Sequence, residues 1–224
     1  MSDGFDQLVA VAQPFFRELA ENNNRDWFEP HKDFYNTEIR GPGTFLADLL
    51  ADELRRATGT SYGSKVYRIY RDVRFAKDKR PFNPWLSLSW SAVNARRLDP
   101  AWFSRIEGER IFMGMGVLGL AKEHLTTYRN WVDRDGDEIS YAIEAFEAAG
   151  GSLSDVREDS LKRVPKLFDP EHPHGDLLRQ KGLWLTLNLD RDKVMADGLI
   201  PTFRAGVATM MPVWQMMTDD LAGW

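Results

Sequence analysis

Trp85-Leu86-Ser87-Leu88-Ser89-Trp90-Ser91 is the stretch whose reading decides the fold. Leu86, Leu88 and Trp90 share one face of an extended chain, and Ser87, Ser89 and Ser91 share the other. Strand side chains alternate with a period of two, and an antiparallel sheet can keep one face wet, so this is a half-buried antiparallel strand. Working outward, Trp102–Ile106 and Arg110–Val117 read as two further strands, joined by a turn at Glu107-Gly108-Glu109. Lys65–Phe75, rich in β-branched and aromatic residues, reads as another strand, and Trp184–Leu189 as a last one.

The flanks are helical. Phe5, Leu8, Val9, Ala12, Phe15, Phe16 and Leu19 recur at spacings of three and four and predict a helix over 5–21. Ser2 or Asp3 is the expected N-cap, Pro14 predicts a kink or a helix divided in two, and Asn22-Asn23-Asn24 a stop. Helices are expected over 26–39 and 44–57, then over 121–132 and 138–149, with Asp133–Glu138 as a solvated turn between the last two. Residues 161–182 read as irregular. A last helix begins near Pro201 and aligns Phe203, Val207, Met210, Trp214, Met217 and Leu221 in an apolar seam, whose plain reading is core packing. The expected fold is α+β: an antiparallel sheet of four to five strands packed by N- and C-terminal helices. A single domain over 1–224 is expected, helical over 1–60, sheet-rich over 61–120, and helical and irregular over 121–224.

Composition narrows the function classes. With no cysteine among 224 residues, a disulfide scaffold, a thiolate zinc site and a cysteine nucleophile are excluded. The N-terminal stretch has no basic region, and its apolar run is broken by Gln13-Pro14, so no signal peptide is read. No apolar run is long enough to span a bilayer. A cytoplasmic protein without membrane contact is expected. The formal charge of −5 makes nucleic acid an unfavoured partner.

Three local patterns invite a chemical reading and support little. Gly114-Met-Gly116-Val-Leu-Gly119 matches a dinucleotide fingerprint, but a second helix, not a strand, follows its helix. Close backbone packing on the face of Gly114 and Gly116 is expected instead. Asp133–Glu138 resembles a calcium loop with its glycine at the wrong step. His172-Pro173-His174, beside Asp169 and Glu171, lacks a further histidine to complete a tetrahedral set, so no metal and no cofactor are assigned. No nucleophile motif is legible, no catalytic residue is assigned, and Asp72 or Asp78 is the only candidate base.

The informative stretch is 65–80. Lys65, Arg68, Arg71, Arg74, Lys77, Lys79 and Arg80 face only Asp72 and Asp78, so cationic charge is concentrated in an acidic chain. On a strand, Arg71 would share the apolar face with Tyr67, Ile69, Val73 and Phe75. A buried guanidinium requires a carboxylate or an anionic ligand, so an internal salt bridge and an anion site are both open. A second basic run, Lys162, Arg163 and Lys166, flanks Pro165.

Several motifs together resemble a known family. They are Asn22-Asn23, Trp27-Phe28, Arg68–Phe75 with Lys77-Asp78-Lys79 and Pro81, Gly114-Met-Gly116, Leu125 with Arg129, Leu161–Lys166, Asp169, His172-Pro173 and Leu177-Leu178. In this order they resemble the family catalogued as domain of unknown function 2461, over nearly the whole chain. The resemblance implies a fold family and no activity. It stresses Asn23, Trp27, Arg68, Arg71, Asp72, Arg74, Phe75, Lys77, Asp78, Lys79, Arg129, Lys162, Pro165 and Lys166. The chain departs from the usual family pattern at Arg80-Pro-Phe-Asn83, where Thr-Pro-Tyr-Lys is common, and at Leu167, where glycine is.

Two readings follow. In the first, a small ligand bearing phosphate or carboxylate sits in a cleft lined by Arg68, Arg71, Arg74, Lys77, Lys79, Arg129, Lys162 and Lys166. There Asp72 orients an arginine, and Trp27, Phe28, Tyr70 or Trp90 supplies a wall. In the second, the chain is a non-enzymatic protein–protein interaction module that meets its partner through the C-terminal seam, and the basic stretch is structural.

Overall fold

A computed structural model describes residues 4–95, 98–153 and 160–221. The helices are α1 (Phe5–Glu21), α2 (Arg25–Phe34), α3 (Gly41–Thr58), α4 (Lys122–Ala148), α5 (Gly175–Arg179), α6 (Arg191–Asp197) and α7 (Leu199–Met216). A π-helical turn, Tyr35–Arg40, joins α2 to α3, and a second, Met217–Leu221, continues α7. The strands are β1 (Tyr62–Val66), β2 (Trp85–Ala92), β3 (Ala101–Glu107), β4 (Ile111–Val117), β5 (Gly151–Leu153) and β6 (Leu183–Leu189). They form one antiparallel sheet in the order β1-β2-β3-β4-β6-β5, so the fold is α+β with slightly more strands than the sequence suggests.

The chain packs as two units. The first holds residues 1–90, 103–113 and 188–206; the second holds 91–102, 114–187 and 207–224. In the first, α3 lies on the face of β2 carrying Leu86, Leu88 and Trp90, all buried. Its approach is close: a Cβ on Gly43 would sit 2.7 Å from the Leu86 side chain, and the Trp90 indole N–H donates to Ala47 O at 2.8 Å. α1 runs unbroken through Pro14, with Leu8, Val9, Ala12, Phe15, Phe16 and Leu19 buried, so the apolar face outweighs the lost backbone bond. Gly4 occupies its N-cap; Ser2 and Asp3 lie outside the described residues. Asn22, at the C-cap, is not left-handed (φ −115°), whereas Asn24 caps the next helix by accepting from the Trp27 N–H at 3.0 Å.

In the second unit, β5 pairs antiparallel with β6, setting Ser152 opposite Thr186. Gly114 and Gly116 face the β6 backbone. A Cβ on Gly114 would lie 2.6 Å from Leu185 O, and one on Gly116 would meet Leu183 O and, at 2.9 Å, Trp184 Cα. The alternate glycines therefore let two backbones approach, as expected. α4 carries the break expected between its two halves: two helical segments meet at a kink at Asp135 (φ −117°), with no intervening loop. Asp133, Arg134, Asp137 and Glu138 are exposed there, as expected of a solvated junction, while Gly136 is buried beneath the His174 ring, and Asp133 and Asp137 lie 3.2 Å from His172 and 2.9 Å from His174. The stretch 161–182, read as irregular, contains α5.

Candidate functional site

The strand expected over Lys65–Phe75 ends at Val66. Beyond it the chain forms a loop closed at its neck. Arg71 N–H donates to Pro81 O at 2.8 Å, Asn83 N–H donates to Ile69 O at 2.7 Å, and Tyr70 and Phe82 form an isolated antiparallel bridge. The neck is anchored by aromatic packing. Phe82 is fully buried, 4.3 Å from Phe28 and 5.3 Å from Tyr70 between ring centroids. Asn23 clamps the same point twice: its amide N–H donates to Phe82 O and its oxygen accepts from Phe82 N–H, both at 3.0 Å. Asn83, where the family commonly has lysine, helps close the neck.

The tip, residues 72–80, is braced by its two aspartates. Asp72 accepts from the Arg74 backbone N–H at 3.2 Å and from the Arg74 guanidinium at 2.7 Å. Asp78 repeats the arrangement with Arg80, at 3.0 and 2.8 Å, and also accepts from Arg71 at 2.8 Å. Each is an Asp-x-Arg segment in which the aspartate caps the backbone two residues on, a local turn device legible in principle from sequence. The Lys79 ammonium donates to Val73 O at 3.0 Å. The electrostatics follow from these bonds. The Arg74 guanidinium holds the Asp72 carboxyl below its ordinary range, and Arg80 chiefly, with Arg71, holds Asp78 far below it.

The geometry corrects one expectation about Arg71. It is expected on the apolar face of a strand; it stands instead on a loop, its side chain mostly buried at 25% exposed, and its partner is the carboxylate of Asp78. The supposed apolar face does not exist: Ile69 is buried, but Tyr67 is exposed and Phe75 is 96% exposed. The chain leaves regular strand geometry at residue 67, so period-two alternation no longer applies.

The remaining expected residues divide by unit. Arg68 and Lys77 are exposed and have no carboxylate within ion-pair distance among the described residues, although the Arg68 charge adds to the lowering at Asp72. Trp27, on α2, stacks on His31 at 4.1 Å and packs 5.6 Å from Phe15. Arg129, Lys162 and Lys166 belong to the second unit. There Arg129 donates to Leu178 O at 3.1 Å and its pKa is lowered by burial, while Lys162 and Lys166 are exposed. The C-terminal seam is not free: Phe203, Val207, Met210, Trp214 and Met217 are all buried. No helix among the described residues is long and apolar enough to cross a membrane.

A family model described as a conserved hypothetical protein, DUF2461, matches residues 12–216. No curated protein matches the chain. The chain belongs to that family.

Proposed function

We propose that this member of the conserved hypothetical family binds a phosphate- or carboxylate-bearing anion at the 67–84 loop. One observation carries the reading. Asp72 and Asp78, the only acids in the basic stretch, are already bonded to Arg74, Arg71 and Arg80, and two guanidiniums share Asp78. Among the described residues Arg68 and Lys77 are left without a carboxylate, and an anion would neutralise the excess through charge-assisted hydrogen bonds. Asp72 and Asp78 hold the loop in shape; Arg68 and Lys77 are its exposed donors. The basic residues of the second unit have no assigned part in this site. An interaction module would need a surface other than the seam residues Phe203, Val207, Met210, Trp214 and Met217, which are buried.

The test is thermal melting in sulfate or phosphate against chloride at equal ionic strength. A rise of a few degrees is expected for the wild type, as for any ligand that binds only the folded state. The double variant Arg68→Gln/Lys77→Gln should lose that rise while keeping the wild-type melting point in chloride. An equal rise in both proteins would remove the proposal.

A further inference from the structure

We infer that the exposed 67–84 loop is a docking surface for single-stranded nucleic acid, with phosphates held by Arg68 before the neck and Lys77 on the tip, and a base stacked on Phe75. The inference rests on the anion reading above and specifies its partner.

Phe75 is the reason to go further. It is 96% exposed, yet it stands on a loop that is closed at its neck and cross-braced at its tip. The bracing holds a large apolar ring in water. Tyr67 and Tyr70, each 43% exposed, place two more rings on the same basic stretch. Flat aromatic faces interleaved with cations are what an unpaired strand uses: bases stack on the rings, and the backbone follows the charge. The partner has to offer both phosphates and open base faces.

The loop's form favours a chain over a small molecule. Small ligands are held in concave sites that enclose most of their surface, whereas Phe75 stands almost wholly in solvent. A strand gathers its affinity from several weak contacts along its length. A duplex hides its base faces and offers this loop only phosphates. An anionic bilayer fits less well. The Arg74 guanidinium lies 5.9 Å from the centre of the Phe75 ring, paired with the half-exposed carboxylate of Asp72, so an inserting Phe75 would draw an ion pair toward hydrocarbon. The net charge of −5 is no obstacle, because at physiological salt charges beyond about 8 Å are largely screened and a bound strand responds to the local excess.

The experiment is fluorescence anisotropy with a labelled oligothymidylate. Competitors are the matching duplex, thymidine monophosphate and phosphatidylserine vesicles, each at equal phosphate. Binding is expected to the single strand, with competition weaker from all three. Phe75→Ala should weaken it roughly tenfold and Phe75→Trp should restore it, since any aromatic face stacks. Arg68→Gln and Lys77→Gln should each reduce the slope of log affinity against log salt by about 0.7. Because Phe75 touches almost nothing, its variants should melt like the wild type. Absence of strand binding alongside an intact sulfate-induced rise in melting temperature would overturn this inference and leave the anion reading standing. Loss of both would overturn both. Equal affinity for duplex, indifferent to Phe75→Ala, would reduce the site to a polyanion contact, and vesicle binding without strand binding would assign the loop to membranes; either result rejects the inference.

Discussion

Tyr35 is buried among Phe15 and Phe28, and its hydroxyl has no hydrogen-bond partner among the described residues. Burial pushes its pKa up to about 12, with Arg40 opposing the shift and Tyr70 adding to it. The phenol is therefore held neutral in the folded state. The linkage has a definite sign: a raised pKa gives stability that is complete below pH 10 and is lost as the unfolded chain ionises above it. Tyr35→Phe should leave stability at pH 7 unchanged or higher, since it removes an unpaired hydroxyl. It should also spare the protein a loss approaching about 2–3 kcal/mol between pH 10 and 12. Melting curves of both proteins across that range check this; a parallel alkaline decline would count against it. Arg71 shows where single-residue reasoning from sequence stops. That it needs a carboxylate or an anionic ligand followed from its apolar neighbours, but which of the two did not, because the loop that brings Asp78 to it depends on the strand ending at Val66. Phe75, expected inside and found outside, failed for the same reason.

At the scale of elements, β2, β3, β4 and β6 were legible because each has a buried set at period two or an unbroken apolar run. β5, three residues long, carries too little pattern to be read. The 67–84 loop was not legible as a loop. Its composition is that of a strand, and its shape is set by contacts distant in sequence: Asn23 with Phe82, and Phe28 with Phe82 and Tyr70. The Asn23 clamp gives a prediction at this scale. Asn23→Ala removes both bonds to the Phe82 backbone in a buried place, leaving an N–H and a carbonyl unsatisfied at about 1–3 kcal/mol. The loss should fall on the loop: hydrogen exchange of Arg71 and Asn83, whose N–H groups close the neck, should quicken well before that of β2. Uniform acceleration across β2 and the neck would mean that the loop has no independent opening.

At the scale of the whole molecule, the class was legible because class depends on the order of periodicities, helical, then alternating, then helical, and not on any boundary. What sequence could not supply were the long-range polar ties, which have no local signature. The Glu53 carboxylate on α3 is the clearest. Its side chain is only 9% exposed, and it accepts from Arg56 at 2.6 Å and from Arg204 on α7, 151 residues away, at 2.7 Å. The Arg204 hydrogen bond is the largest influence holding the Glu53 pKa below its ordinary 4.5, with burial opposing and Arg56 assisting. A depressed carboxylate pKa gives stability that is present above the unfolded value and lost as pH falls through the folded one. Glu53→Gln keeps the shape and removes the charge. It should therefore lower stability by about 1–2 kcal/mol near neutrality, a range set by two charge-assisted bonds whose arginines are largely in solvent. The gap between the two proteins should stay constant from pH 8 down to the ordinary carboxylate value of 4.5 and close as pH falls below it, as wild-type Glu53 takes up its proton. Asp72 and Asp78 titrate alike in both proteins, so their acid sensitivity cancels in the difference. Denaturant unfolding at a series of pH values measures that gap directly. A gap that persists unchanged to pH 3 would show that Glu53 stabilises α3 and α7 by shape and hydrogen bonding, with no contribution from its charge.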